Sequence, residues 1–400
     1  MSVAADLAPS EGAIARPLVF LLAASCGLAV ANLYYAQPLI APISAALGLS
    51  TAAAGLIVTM TQIGYVIGLL FIVPLGDLLE NKRLITVVLG LCALALLGAT
   101  FATRALPFLL SMLAIGLCSV VVQILIPLTA HLAPEATRGR VVGTVTSGLM
   151  LGIMLSRPVA SFITHLSSWR TVFGLSTVVT FGLALALARL LPTRRPPPGL
   201  HYHALLRSML HLALTTKVLW RRSAYQFCSF GAFSLFWTTV PLLLQEPRFG
   251  FTQAGIAWFG LAAVAGAVAA PFAGTLADRG LERFSTGLGL ASVATAFLLT
   301  HVEVASPVIG VGLLVLAAIL LDFGTSATLV VSQRAVFSLG PTVRARLNGL
   351  FLAMFFIGGA LGSALGAWVY AKGGWGWAAW AGVMPPIVAL GLFATEFRRS

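Results

Sequence analysis

Apolar residues in this chain come in long unbroken runs separated by short polar gaps. A helix that crosses a bilayer needs about 20 apolar residues. That ruler predicts twelve spans, near 17–40, 52–74, 84–103, 106–130, 141–164, 171–191, 223–245, 253–276, 284–301, 306–331, 347–370 and 376–396. The longest gap, Pro192 to Arg222, opens with the stiff basic run Thr193-Arg194-Arg195-Pro196-Pro197-Pro198. Proline lacks the backbone donor a helix requires, so no helix continues through it. After it, His203 to Leu219 is expected to form an amphipathic helix on the membrane surface, with Arg207 and Lys217 near lipid phosphates.

Two gaps stand out as charged turns. One runs Val73-Pro74-Leu75-Gly76-Asp77 to Lys82-Arg83, and the other Gly274-Thr275-Leu276-Ala277-Asp278-Arg279 to Arg283. Asp77 and Asp278 lie 201 positions apart in 400 residues. The gap with Pro134, Arg138 and Arg140 is echoed by the gap with Pro341, Arg344 and Arg346. Turns that recur at half the chain length predict two related six-span halves. The expected fold is all-α and polytopic, with twelve transmembrane helices in two pseudo-symmetric six-helix bundles. Its divisions are a tail at 1–16, a bundle at 17–191, a linker at 192–222, a bundle at 223–396 and a tail at 397–400.

Composition sharpens this picture. The chain is 59% hydrophobic and 9% charged, with a mean hydropathy of +1.00. A soluble domain carries about 25% charged residues. The net charge of +13 sits in the gaps, so it reads as membrane topology rather than a nucleic-acid surface. With the N-terminus inside, 19 of the 24 Lys and Arg fall on inner segments and 4 on outer ones, leaving Arg157 within a span. That bias places both termini in the cytoplasm. Leu18 to Ala31 has some features of a signal peptide, but the apolar run continues to Ile40, so it is expected to stay as span 1. The four cysteines lie in apolar runs without CxxC spacing and read as small hydrophobes. No lysine precedes Ser or Thr, and no HExxH or GxSxG occurs, so ATP drive and catalysis are not expected.

The turn motifs resemble the major facilitator superfamily, whose loop between spans 2 and 3 reads Gly-x-x-x-Asp-Arg/Lys-x-Gly-Arg/Lys-Arg/Lys. Gly274 to Gly280 matches the first part. The first copy has Val73 and Leu78 where Gly and a basic residue are usual, but keeps Asp77, Lys82 and Arg83. Trp169 to Phe173 is similar to the family's start of span 6. Asn32-Leu33-Tyr34-Tyr35-Ala36-Gln37-Pro38, Phe233 to Trp237, Arg344 to Gly349 and Gly358 to Ser363 resemble bacterial inner-membrane permeases grouped with drug or sugar efflux proteins. Two departures are plain. Ser111 stands where drug antiporters carry an Arg in span 4, and Arg157 interrupts the small-residue pattern of span 5. The resemblance implies a secondary transporter in the bacterial inner membrane that works by alternating access. Proton-coupled export of a small organic solute leads; uptake by symport or facilitated diffusion is second. A non-transporting receptor is the rival class. Expected partners are a small-molecule substrate, protons and the lipid bilayer, with no nucleic acid and no cofactor, in a monomer.

Candidate site residues follow from the cost of polarity in lipid. A charge at the bilayer centre costs at least about 2.5–3.5 kcal/mol, so Arg157 in span 5 needs a cavity or a partner. Asp322 in span 10 is its natural counterpart and a candidate proton carrier, although they lie in opposite halves. Polar positions on spans 1, 2, 4 and 7 should point to a cavity: Asn32 with Tyr35, Gln62, Gln123, Gln226 and Trp237. Tyr34 and Gln37 share the span 1 stretch. Gate residues are expected at Asp77, Lys82, Arg83, Arg138, Arg140, Asp278, Arg279, Arg344 and Arg346, with Asp77 capping a helix or pairing with Arg138 or Arg140. The ladders Gly148-Gly152-Ser156 and Gly358-Gly362-Gly366 read as close helix packing.

Overall fold

The computed structural model describes residues 15–196, 199, 201–268, 275–276, 279–302, 304–340 and 343–397. Among them every regular element is helical. Asp278 and Gly274 of the second turn motif lie outside the described residues, as do Arg398 and Arg399.

Each predicted span meets a helix. Span 1 is Arg16–Ala31 continued by Gln37–Leu47, span 2 Thr51–Asp77, span 3 Asn81–Phe101, span 4 Ala105–Leu132, span 5 Arg138–Leu166 and span 6 Trp169–Leu190. Span 7 is Lys217–Gln245, span 8 begins at Gln253, span 9 is Glu282–Leu299 and span 10 Pro307–Phe337. Spans 11 and 12 form one helical run, Arg344–Ala394, parted where Gly373 (φ −142°) and Gly374 (φ 66°) leave helical geometry. A positive φ is open to Gly without strain, and that lets the chain reverse there. Ser50, Ser168 and Thr252 cap the starts of spans 2, 6 and 8 by accepting from the N–H three residues on.

Small residues set the pairing within each half. A Cβ built on Gly152 would lie 2.0 Å from the Gly27 carbonyl oxygen, and one on Gly148 2.4 Å from that of Ala23, so spans 1 and 5 touch backbone to backbone. In the second half a Cβ on Gly362 would lie 2.0 Å from the Gly231 oxygen, and one on Gly358 2.2 Å from that of Phe227. Spans 7 and 11 thus repeat the contact of spans 1 and 5. Such approaches are what small residues supply where helices gain little from excluding water.

We call the end of the bundle where span 1 begins the N-terminal face. The halves are sealed at the opposite face by spans 2, 7 and 11. Thr59 donates to the Ala360 carbonyl at 3.0 Å and Ser363 to that of Gly55 at 3.2 Å, and within the second half the Thr238 hydroxyl lies 2.8 Å from that of Ser363.

The linker departs from expectation. Its helix is Tyr202–Thr215, and Lys217 already belongs to span 7 because Thr216 between them is extended (φ −92°, ψ 94°). It does not lie free on a membrane surface. Leu205 and Met209 are buried. The Tyr202 hydroxyl donates to the Phe71 carbonyl at 2.9 Å, and Arg346 bonds Ser208. The helix therefore ties span 2 to span 11 across the N-terminal face.

Candidate functional site

Span 1 breaks at the polar stretch singled out in the sequence. Residues 32–36 form turns between Ala31 and the 3-10 segment Gln37–Leu39. Pro38 has no N–H to donate to the Tyr34 carbonyl four residues back and its ring crowds that carbonyl, which breaks the helix at this stretch. Span 4 breaks as well, between Ser119 and Val122, just before Gln123. Broken helices at membrane depth leave backbone and side-chain polarity free to face a site.

Arg157 anchors that site. It is only 6% exposed, and its Nε donates to Gln37 Oε1 at 2.8 Å. Three aromatic rings surround the guanidinium, with its carbon 4.2 Å from the ring centroid of Trp237, 5.0 Å from Phe233 and 5.3 Å from Tyr34. Cation–π contacts are worth about 2 kcal/mol or more when desolvated. Trp237 also donates from Nε1 to Asp322 Oδ1 at 3.1 Å. A single indole of span 7 thus stands between Arg157 of the first half and Asp322 of the second. Gly266 of span 8 lies against the Asp322 Cβ, which a built Cβ would meet at 2.7 Å.

The other candidates go elsewhere. Asn32 accepts from Ser176 Oγ at 2.7 Å and donates to Cys92 Sγ at 3.8 Å, and Tyr35 shares the Ser176 neighbourhood. Both therefore look toward spans 3 and 6, inside the first half. Tyr34 and Gln37 are the span 1 residues that reach Arg157. Both pairs have i, i+3 spacing, so periodicity could not choose between them. Gln62 donates to Ser234 at 3.0 Å and joins the halves, while Gln226 donates to the Thr325 carbonyl at 3.3 Å within the second half. Gln123 donates to the Tyr65 hydroxyl at 3.1 Å.

Gln123 also lines a cleft of about 80 Å³ at the N-terminal face, with Leu69, Asp77, His131, Arg194, Met209 and Arg346. Asp77 is exposed there and caps no helix. The groups that act on its charge are Arg346, Arg194 and His131. Arg138 acts on His131 instead, and Arg140 is exposed. The groups acting on Asp77 thus include Arg346 of span 11, while Arg138 and Arg140, the expected partners, are not among them. Arg83, Arg279 and Arg344 are exposed and Lys82 is half-buried; Arg344 reaches back to the Phe337 carbonyl at 3.5 Å. Arg194 and Arg195, read as linker, grip the loop that carries the motif. The Asn81 N–H donates to the Arg194 carbonyl at 3.1 Å, and Glu80 lies 3.6 Å from Arg195.

Known proteins match along the whole chain. The family model described as Major Facilitator Superfamily matches residues 19–312 and 225–400. The putative uncharacterized transporter YgaY of Escherichia coli (strain K12) is 38% identical over 385 residues, 96% of each chain. The probable transporter SCO4007 of Streptomyces coelicolor is 32% identical over 391 residues, 97% of this chain and 89% of that one. Among solved structures, a bacterial homolog of the human lysosomal transporter Spinster, in an inward-facing and unoccupied conformation, superposes with a TM-score of 0.73 at 15% identity. The match covers 95% of this chain and 97% of that one, and it is a likeness of fold.

Proposed function

The chain belongs to the major facilitator superfamily, and from that premise we propose that Arg157, Trp237 and Asp322 form the central site of a proton-coupled transporter for a small organic solute. That it is a multi-pass membrane transporter follows from the family and its relatives. The observation that supports the finer reading is the shared indole. A residue of span 7 contacts a cation of one half and a carboxylate of the other. Rocking of the halves must remake those contacts, so the charge state of Asp322 and the conformation are tied together.

Units at 17–191 and 223–396 are the bodies that rock, joined by 192–222 and lying in a bacterial inner membrane with both termini in the cytoplasm. The N-terminal face is then cytoplasmic, and its cleft is the approach to the site through Gln123 and Tyr65. Asp77 and Arg346 act at the mouth of that approach, with the linker helix as a strap. Export is the direction carried over from efflux-type permeases; uptake by symport is the direction the site's own charges favour.

The test uses full-length protein in proteoliposomes with an imposed pH gradient and a metabolite screen. Wild type is expected to concentrate at least one solute, and Asp322→Asn to equilibrate it without concentrating it. Gradient-driven accumulation that survives in Asp322→Asn removes the proton role from this residue.

A further inference from the structure

Among the described residues the guanidinium of Arg157 has no carboxylate within 4.0 Å, and Asp322 acts on it only from a distance. Nη2 of Arg157 has no hydrogen-bond partner, and neither does Nε2 of Gln37. Both atoms are donors. Arginine can only donate, so the bond from Arg157 Nε fixes the Gln37 oxygen as acceptor and leaves its NH₂ group idle. Two idle donors therefore sit on groups already bonded to each other at 2.8 Å. A buried donor without an acceptor costs about 1–3 kcal/mol, and more when it is charged. What relieves both is one ligand with two adjacent acceptor oxygens and a negative charge, which matches the fork geometry of a guanidinium.

The walls define the rest of the ligand. Tyr34, Phe233 and Trp237 enclose the guanidinium. Phe230 stacks on Phe233 at 5.2 Å and on Phe355 at 3.6 Å, and Phe356 lies 4.4 Å from Tyr65. The aromatic surface thus extends from Arg157 toward the residue that Gln123 bonds at the cleft. It is mostly flat and apolar, and its hydroxyls are those of Tyr34 and Tyr65, the latter already accepting from Gln123. Resting on the transporter reading above, we infer that the solute is a small organic carboxylate with a flat apolar body, its carboxylate held by Arg157 and Gln37, and that a proton binds with it at Asp322.

The coupling follows from charge. The groups that face Asp322 are Trp237 from span 7, Arg157 from span 5 and Tyr34 from span 1. One cation is shared between Asp322 and the incoming anion. Two carboxylates on either side of one indole repel in a site with little water, and a proton on Asp322 removes that repulsion. Anion and proton therefore assist each other's binding, and by reciprocity each carries the other. That is symport. An exchanger would need the two to compete.

The probe is benzoate, with benzamide and benzylamine as uncharged and cationic counterparts of the same shape, added to the purified full-length protein in nanodiscs. Benzoate is expected to raise the thermal midpoint, whereas the amide and the amine leave it unchanged. Gln37→Glu supplies an internal carboxylate to Arg157 and should weaken benzoate at least tenfold while the protein keeps its fold. Arg157→Lys, a charge without the fork, should retain weakened binding. Wild-type affinity for benzoate should fall about tenfold per pH unit once Asp322 no longer holds its proton, since one proton is taken up per anion. Asp322→Asn should bind benzoate without that slope. A shift with benzylamine but not benzoate overturns the inference, as does no shift with any of the three, or an unaltered slope in Asp322→Asn. If the proteoliposome screen finds a concentrated solute that is neutral or cationic, transport stands and the carboxylate inference falls. Benzoate binding with no solute moved defeats the transport reading instead.

Discussion

The backbone contact between spans 1 and 5 sets the geometry of the site, and one methyl group tests it. In Gly152→Ala the new Cβ would lie 2.0 Å from the Gly27 oxygen, whereas ordinary contact begins at 3.4 Å, so the helices must part by up to 3.4 − 2.0 = 1.4 Å. No flexible side chain stands at the contact to give way. Overpacking of this kind costs about 1–3 kcal/mol. Alanine returns about 0.5–1 kcal/mol because glycine is the poorer residue inside a helix. Gly143 on the same span provides the control, since a Cβ there meets nothing within 4 Å. Gly143→Ala should gain the helix term alone.

Thermal unfolding of the full-length protein in detergent measures both. The expected order of midpoints is Gly143→Ala at or above wild type and Gly152→Ala clearly below it. Gly362→Ala should behave like Gly152→Ala, because it meets the Gly231 oxygen at the same 2.0 Å. The contact also bears on the site. Gln37 and Arg157 ride on the two separated helices, and a 1.4 Å displacement passed on in full would stretch their bond from 2.8 Å to 4.2 Å. A Gly152→Ala midpoint equal to that of Gly143→Ala would refute the reasoning at its first step.

Two other substitutions probe the indole and the cleft. Trp237→Phe keeps a ring beneath Arg157 but removes the donor to Asp322. A hydrogen bond to a charged group is worth about 1.5–3 kcal/mol. Gradient-driven accumulation should therefore fall by about ten- to a hundredfold while gradient-free exchange of solute persists, and equal loss of both in proteoliposomes would sink the assignment. Asp77→Asn removes the charge that faces Arg346 across the cleft. Reactivity of a cysteine placed at Leu69 should rise in Asp77→Asn and also in Arg346→Gln, both assayed in the chain with its own cysteines replaced; unchanged labelling would leave Asp77 without a gating role.

Periodicity and hydropathy carried the fold a long way because lipid imposes a simple rule. A chain that must satisfy its own backbone in hydrocarbon has few alternatives to a helix, so length alone marks each span. The paired glycines that join spans 1 and 5, and again 7 and 11, were visible as ladders. Of their partners, Gly27 lies in a ladder of its own, Ala23-x-x-x-Gly27-x-x-x-Ala31, whereas Gly231 follows Phe227 and emerges only in three dimensions. Arg157 and Asp322 were legible for the same reason, as charges where charge is costly. The linker helix was misplaced because its apolar stripe fits a membrane surface and a protein surface equally well. Leu205 and Met209 choose the protein because the cleft beside Leu69 and Gly349 needs a cover.

The residues hardest to read were those where the helix rule fails. Asn32 with Tyr35 and Tyr34 with Gln37 are equivalent on a regular helix except for phase, and phase is lost at residues 32–36, where span 1 unwinds. Pro38 is the available signal, since a proline removes the bond to the carbonyl four residues back, at Tyr34, and crowds it. The break then decides the chemistry. It turns Asn32 toward Ser176 and Cys92, where its bonds are met within one half, and turns Gln37 toward Arg157, where one donor remains unmet. A fully satisfied polar residue holds helices together; a buried donor left open is a cost that persists unless a ligand relieves it. On that distinction we propose Asn32 as part of the frame and Gln37 as part of the site.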